Sequence, residues 1–281
     1  MLKRIITGTL LGLTFFGLIF YLPLFYLAIA FSALSLYGFY EWLKVSQQSG
    51  QSIFFNLLIM IVIMMILLFY HNHSVVIILA YTSSVAWLMI LFDMYFGSIV
   101  IKGLFSRYSS IIGLYIIISA WFLLISLGST SSVFTIDENK YLLFSMANSN
   151  IHIYILALVL LISLTDSSGY FIGKFFGKTK LCENISPNKT IIGLVGSIMV
   201  PLIFFIILYL IILNKPIMIE DILFMLTCCI YCTVGDLFMS TFKRFNNVKD
   251  TGKILPGHGG ILDRLDSYLP TIPIFQIWLF L

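Results

Sequence analysis

Charge is what this sequence has least of. Asp, Glu, Lys and Arg make up 10% of its 281 residues while 60% are hydrophobic, against roughly 25% charged in an ordinary soluble domain. A globule of this size has too little interior to hide that much apolar surface, so a water-soluble fold is excluded. Cysteine is scarce as well. Cys182, Cys228, Cys229 and Cys232 form no disulfide framework, and Cys229-Ile-Tyr-Cys232 has no second ligand pair for zinc. Three of the four fall in one apolar stretch, where cysteine acts as a small filler. Heptads, low-complexity tracts, internal repeats and a soluble domain are missing too. Lys3-Arg4 and the apolar run after it resemble a secretory signal, but the run lacks a small-residue cleavage site and leads into more apolar runs. It reads as a first transmembrane helix.

The apolar runs predict an all-α integral membrane protein of about nine spans, at 5–22, 24–43, 53–70, 75–92, 111–127, 151–176, 191–213, 222–242 and 262–281. Pro201, Pro270 and Pro273 fall inside spans and are expected to kink them. With the N-terminus inside and the C-terminus outside, fourteen of the sixteen basic residues lie on the cytoplasmic face, leaving only Lys140 and Lys215 outside. That asymmetry supports the orientation and the span count together. The longest non-membrane pieces are 93–110, 128–150, 177–190 and 243–261. The chain thus divides into a plain N-terminal half, 1–150 with about five spans, and a half, 151–281, whose cytoplasmic loops 177–190 and 243–261 carry the chemistry.

An ionisable residue within a span costs about 2.5–3.5 kcal/mol on insertion scales, so each requires a reason. Asp166, Asp236, Asp263 and Asp266 sit within or at the cytoplasmic ends of the sixth, eighth and ninth expected spans. Asp236 and Ser240 are four apart, Asp263 and Asp266 three apart, so each pair shares a helix face. If these helices meet, the carboxylates converge near many Lys and Arg residues, which fits Mg²⁺ with a phosphorylated substrate. A structural network of Asp with Arg and an ion-coupled transporter are the alternatives, the latter calling for carboxylates near mid-bilayer. Pro256-Gly-His-Gly-Gly260 removes side chains where backbone amides could approach an anion, with His258 able to donate to it. Ser186 is the expected N-cap of the seventh span, with Pro187 at its first position and Lys189 and Thr190 in the first turn. Gly169, Gly173 and Gly177 form a small-residue stripe for close helix packing, with Asp166 and Tyr170 near the packed face. His71, His73 and His152 are interfacial.

The run Ser240-Thr-Phe-Lys-Arg through Lys249-Asp-Thr-Gly-Lys-Ile-Leu-Pro-Gly-His-Gly-Gly-Ile-Leu-Asp-Arg-Leu-Asp266 resembles the signature of the phosphatidate cytidylyltransferase (CDP-diacylglycerol synthase) family. Asp166-x-x-x-Tyr170, Gly173-Lys-Phe-Phe-Gly-Lys178, Ile185-Ser-Pro-Asn-Lys-Thr190 and Gly235-Asp236 are similar to it too. The resemblance covers the C-terminal half. It implies conversion of CTP and phosphatidate to CDP-diacylglycerol and pyrophosphate in a bacterial cytoplasmic membrane, with Mg²⁺ and a monovalent cation such as K⁺. Membrane lipid is an implied partner, nucleic acid is not, and a homodimer stays open. Asp236 and Asp263 are implied metal ligands and, with Lys243, Arg244 and His258, the catalytic set. Ser186, Lys189, Thr190, Ser240, Lys249, Asp250, Arg264, Asp266 and Asp166 are implied to bind the phosphates of CTP or phosphatidate. A related CTP-using lipid kinase is the rival reading. Two positions depart from the family: Ile192 stands where Glu is usual, and Lys174 where Arg is common, which loses a bidentate fork.

Overall fold

Where a polar side chain interrupts the apolar runs, it caps the helix that follows. Ser49 accepts the amide of Ser52, Asn72 that of Val75 and Thr190 that of Gly193, so each starts a helix by satisfying an amide with no intrahelical partner. A computed structural model describes Gly17 and residues 24–97, 99–130, 151–182, 185–213, 217–255 and 259–279. The expected first span apart from Gly17, residues 131–150 of the expected outward loop, and His258 lie outside the described residues.

The helices are α1 (Leu24–Val45), α2 (Gly50–Phe69), α3 (His73–Tyr95), α4 (Ile99–Thr130), α5 (Ile151–Phe176), α6 (Ile191–Leu208, continued by a π-helical turn Tyr209–Leu213), α7 (Ile219–Phe245), α8 (Leu262–Leu265) and α9 (Tyr268–Trp278). Six of them, α2 to α7, are long and apolar enough to cross a membrane. Many of their large apolar side chains, Phe54, Met65, Phe69 and Ile203 among them, face outward, as a lipid solvent requires. The fold is not purely helical: β1 (Lys180–Cys182) and β2 (Ser186–Thr190) pair antiparallel between α5 and α6, with Lys180 opposite Thr190 and Cys182 opposite Ser186.

That hairpin corrects the expected start of α6. Residues 186–190 are extended, so Ser186 is a strand residue rather than an N-cap, and the cap falls four residues later at Thr190. The ladder with β1 holds this backbone in β geometry, which a helical first turn at Pro187 would have to break. Two other expectations change. Most of the expected loop 93–110 is helical, because both carboxylate oxygens of Asp93 cap the start of α4, accepting Val100 N at 3.0 Å and Ile101 N at 2.9 Å. The helical backbone angles then break at Tyr108, not at a proline. In place of one helix over 262–281 there is a single turn, α8, then α9, whose 11 residues are too few to cross a bilayer alone. Asp93→Ala removes the α4 cap and is expected to destabilise the detergent-solubilised protein by about 1 kcal/mol, read as a lowered Tm. An unchanged Tm would show that the cap carries no stability.

The core that positions the site is aromatic. Trp42 of α1 stacks on Phe242 of α7 at 3.8 Å between ring centroids and 8° between planes, with Phe105 of α4 edge-on to both rings. Its indole nitrogen donates to Ser109 O at 2.9 Å, which leaves no polar atom of the ring unpaired. Phe238 continues the stack to Trp87 of α3. The last turns of α1 and α7 are thereby locked together next to Lys243.

Candidate active site

The glycine stripe on α5 performs the expected close packing. Gly169 faces Ser197 and the carbonyl of Gly193 on α6, and Gly173 lies against Gly193 and Thr190, so bulkier residues there would push the helices apart. α5 ends, α6 begins and α7 ends on one side of the molecule, as three antiparallel helices must. The hairpin and the chain from 250 to 267 fill in around them. Between these elements lies a cavity of about 770 Å³.

Ten of the expected residues line it: Asp166, Ser186, Lys189, Thr190, Asp236, Lys243, Asp250, Asp263, Arg264 and Asp266. They come from α5, β2, α7, α8, the loop before α8 and the turn after it, which is the convergence expected from the sequence. Ser240, Arg244 and Lys249 are not on its wall. Arg244 instead donates to Ile185 O and Val248 O, each at 3.4 Å, tying the hairpin to the chain after α7. Tyr170 is 61% exposed, so it is not buried in the helix contact, although it borders the cavity. Lys174 also borders the cavity, with its ammonium 5.7 Å from the Tyr170 ring centre. Ile192 is 41% exposed and does not line the cavity, so the departure there leaves the wall unaltered.

The two expected metal ligands have different surroundings. Asp236 pairs with Lys189 at 2.6 Å across the cavity mouth, both side chains partly exposed. Asp263 is saturated: Oδ1 takes Lys243 Nζ at 2.7 Å, while Oδ2 accepts Thr251 N at 2.8 Å, Thr251 Oγ1 at 3.0 Å and Gly260 N at 2.9 Å. Burial favours the neutral acid, but the Lys243 ammonium and two backbone amides all favour the carboxylate. Gly259 adopts φ +82°, and a Cβ there would press on Asp263 Oδ2, so the turn closes over the carboxylate only as glycine.

Asp166 and Asp266 complete an acidic wall. Asp166 accepts from Ser267 Oγ at 3.3 and 3.4 Å and from Cys232 Sγ at 3.6 Å, which joins α5, α7 and the turn before α9. Asp266 lies near enough to both Asp236 and Asp166 to feel their charge. Three mutually repelling carboxylates, offset in part by Lys189 and Lys243, form a donor set of the kind a hard cation takes. Among the described residues no three such side chains close a metal shell by themselves.

Residues that the sequence did not single out also belong here. Lys180 and Asn188 of the hairpin line the cavity. Glu41 lies behind it, 2% exposed, with Oε2 accepting Leu262 N at 2.8 Å and Thr251 Oγ1 at 3.2 Å. The rule that flagged the aspartates applies equally to an acid inside an apolar helix and would have found Glu41.

A sequence model described as the cytidylyltransferase family matches residues 2–281. Phosphatidate cytidylyltransferases are among the curated relatives. That of Staphylococcus haemolyticus is 44% identical over 127 residues, 45% of this chain and 48% of the relative. Those of Staphylococcus aureus (strain COL) and Bacillus subtilis (strain 168) are 45% identical over 130 residues and 44% over 126, covering 45% of this chain and 48% and 47% of the relatives. The matches thus span about half the length of each relative.

Proposed function

We propose, from the premise that this chain belongs to the cytidylyltransferase family, that it converts CTP and phosphatidate to CDP-diacylglycerol and pyrophosphate. The observation that carries this reading is a cavity at one end of long apolar helices, in which Lys189, Lys243 and Arg264 stand among Asp166, Asp236 and Asp266. A phosphatidate oxygen attacks the α-phosphorus of CTP, a new P–O bond forms, and the bond to the bridging oxygen breaks with its electrons leaving on pyrophosphate. The phosphomonoester nucleophile is already largely dianionic near neutral pH, so no strong general base is needed. The task of the protein is to bring three anionic groups together and to neutralise their charge, which falls to the lysines and the arginine. Asp166, Asp236 and Asp266 would hold Mg²⁺, and a monovalent cation such as K⁺, which would supply further neutralisation of phosphate charge. Asp263 holds Lys243 in place from the other side.

The two substrates differ in solubility, and the position of the cavity suits that difference. Exposed apolar residues of α5 and α6 beside it, Phe171, Phe175 and Val195, give the acyl chains a lipid-facing path while the headgroup enters among the charges. The finer topology belongs to the same reading: the N-terminus inside and a site facing the cytoplasm of a bacterial cell, where CTP is made and where the positive-inside distribution favours the basic loops.

Purified protein incubated with CTP, phosphatidate and Mg²⁺ is expected to yield a CDP-lipid and pyrophosphate, read by mass analysis of the lipid and of the nucleotide. Free CDP with a phosphorylated lipid would mean γ-phosphoryl transfer. No CTP turnover would overturn the reading.

A further inference from the structure

We infer that Glu41 is a positioning residue for the reaction, which it serves by clamping the 250–263 loop from the N-terminal half of the chain. The inference rests on the proposed cytidylyl transfer only for its kinetic arm.

Glu41 is set in a rigid frame. Its neighbour Trp42 is stacked on Phe242 and hydrogen-bonded to Ser109, so the last turn of α1 is fixed to α7 and α4. From that frame the carboxylate reaches both ends of the loop. Oε2 takes the amide of Leu262, where α8 begins, and the hydroxyl of Thr251, which also donates to Asp263 Oδ2. Among the described residues Oε1 has no hydrogen-bond partner; it sits where a Cβ on Gly252 or Gly260 would strike it, so both glycines are in contact with the carboxylate. A chain of contacts therefore runs from Glu41 through Thr251 to Asp263 and on to Lys243, and its last two members line the cavity.

A buried carboxylate outside the cavity does not touch the phosphates, so its effect must pass through geometry. Among the described residues it makes no ion pair; its partners are an amide, a hydroxyl and the faces of two glycines. What it fixes is the distance between residues 251–252 and 260–262, and hence the place of Asp263 Oδ1 and the Lys243 ammonium. A displacement of about 1 Å in such groups is worth up to about 10²-fold in rate.

Five full-length proteins test this in detergent or lipid discs: wild type, Glu41→Gln, Glu41→Ala, Gly252→Ala and the Gly252→Ala, Glu41→Ala double variant. Glu41→Ala is expected to lower kcat at least about tenfold with KM for CTP within about threefold, because binding groups stay and alignment is lost. Glu41→Gln keeps an acceptor for Leu262 N and Thr251 Oγ1 and is expected to retain most of the wild-type kcat. Gly252→Ala puts a methyl against Oε1 and is expected to lower kcat, with the Gly252→Ala, Glu41→Ala double variant no slower than Glu41→Ala alone. The second readout needs no activity: limited trypsin cleavage after the exposed Lys249 and Lys253 is expected to be faster in Glu41→Ala and unchanged in Glu41→Gln. An unchanged cleavage rate and an unchanged kcat in Glu41→Ala would overturn the inference, as would equal kcat losses in Gln and Ala. A wild type without CDP-lipid product but with the expected cleavage pattern would refute the functional reading and leave the clamp standing.

Discussion

Asp263→Asn is expected to lower CDP-lipid formation by about 10²-fold or more while membrane insertion and yield stay at wild-type levels. The carboxylate is 8% exposed and has a cation on one oxygen and three donors on the other. An asparagine can keep its oxygen toward Thr251 and Gly260, but it then turns its amino group toward Lys243. Removing one partner of a buried pair costs about 3–5 kcal/mol when the other stays charged and unpaired. Lys243 escapes that cost by moving, and it moves out of the position from which it meets a phosphate. The measurement is the initial rate against CTP and Mg²⁺ concentration, with monodispersity on gel filtration as the folding control. If Asp263 acts through Lys243, then Lys243→Met and the double variant are no worse than Asp263→Asn alone, and half-saturation by Mg²⁺ does not shift. If Asp263 also holds the cation, Mg²⁺ half-saturation rises in Asp263→Asn and stays put in Lys243→Met. Near-normal turnover in Asp263→Asn would remove the residue from the machinery altogether.

Such effects were legible in advance because charge is rare in this chain. In a membrane sequence every acid in an apolar run has to be accounted for, and Asp166, Asp236, Asp263 and Asp266 announced themselves in that way before any geometry was available. Their meeting at one cavity followed from all four lying at the same ends of antiparallel helices. The start of α6 was harder to read. Ser186-Pro187 is a good local signal for a helix start, yet the same proline is equally at home in a short strand, and the ladder to β1 decides between them. Pairing of that kind depends on a partner four to ten residues away, which local capping rules do not see. Glu41 was passed over for a related reason. Its partners Thr251 and Leu262 lie 210 and 221 residues along the chain, so the rule for acids in apolar helices singles Glu41 out but does not say what it holds. The division into a plain N-terminal half and a reactive C-terminal half described where the motifs lie, but the clamp on the signature loop crosses it.

Asp236→Asn has the second large expected effect, and its cause is separable from folding. Asp236 and Lys189 are 35% and 25% exposed, so their mutual attraction is screened and contributes only about 0–1 kcal/mol to stability. The Tm of the variant should stay near that of wild type. Its rate should still fall by about 10²-fold, because the loss takes one carboxylate from the wall where a cation and two sets of phosphates have to be balanced. Two accounts of Asp236 then diverge. If it serves only to neutralise Lys189 until substrate arrives, neutralising Lys189 as well should recover much of the loss, and Lys189→Met, Asp236→Asn should outperform Asp236→Asn. If it holds the cation, the double variant should be at least as slow, with KM for CTP raised by the missing lysine and the Mg²⁺ requirement raised by the missing acid, two losses that fall on different substrates of the same assay. The second pattern is expected, because Asp166 and Asp266 share the cavity with Asp236 and add to its negative charge, which Lys189 and Lys243 offset only in part. Recovery in the double variant would reduce Asp236 to a counter-ion and leave the acidic wall without its cation.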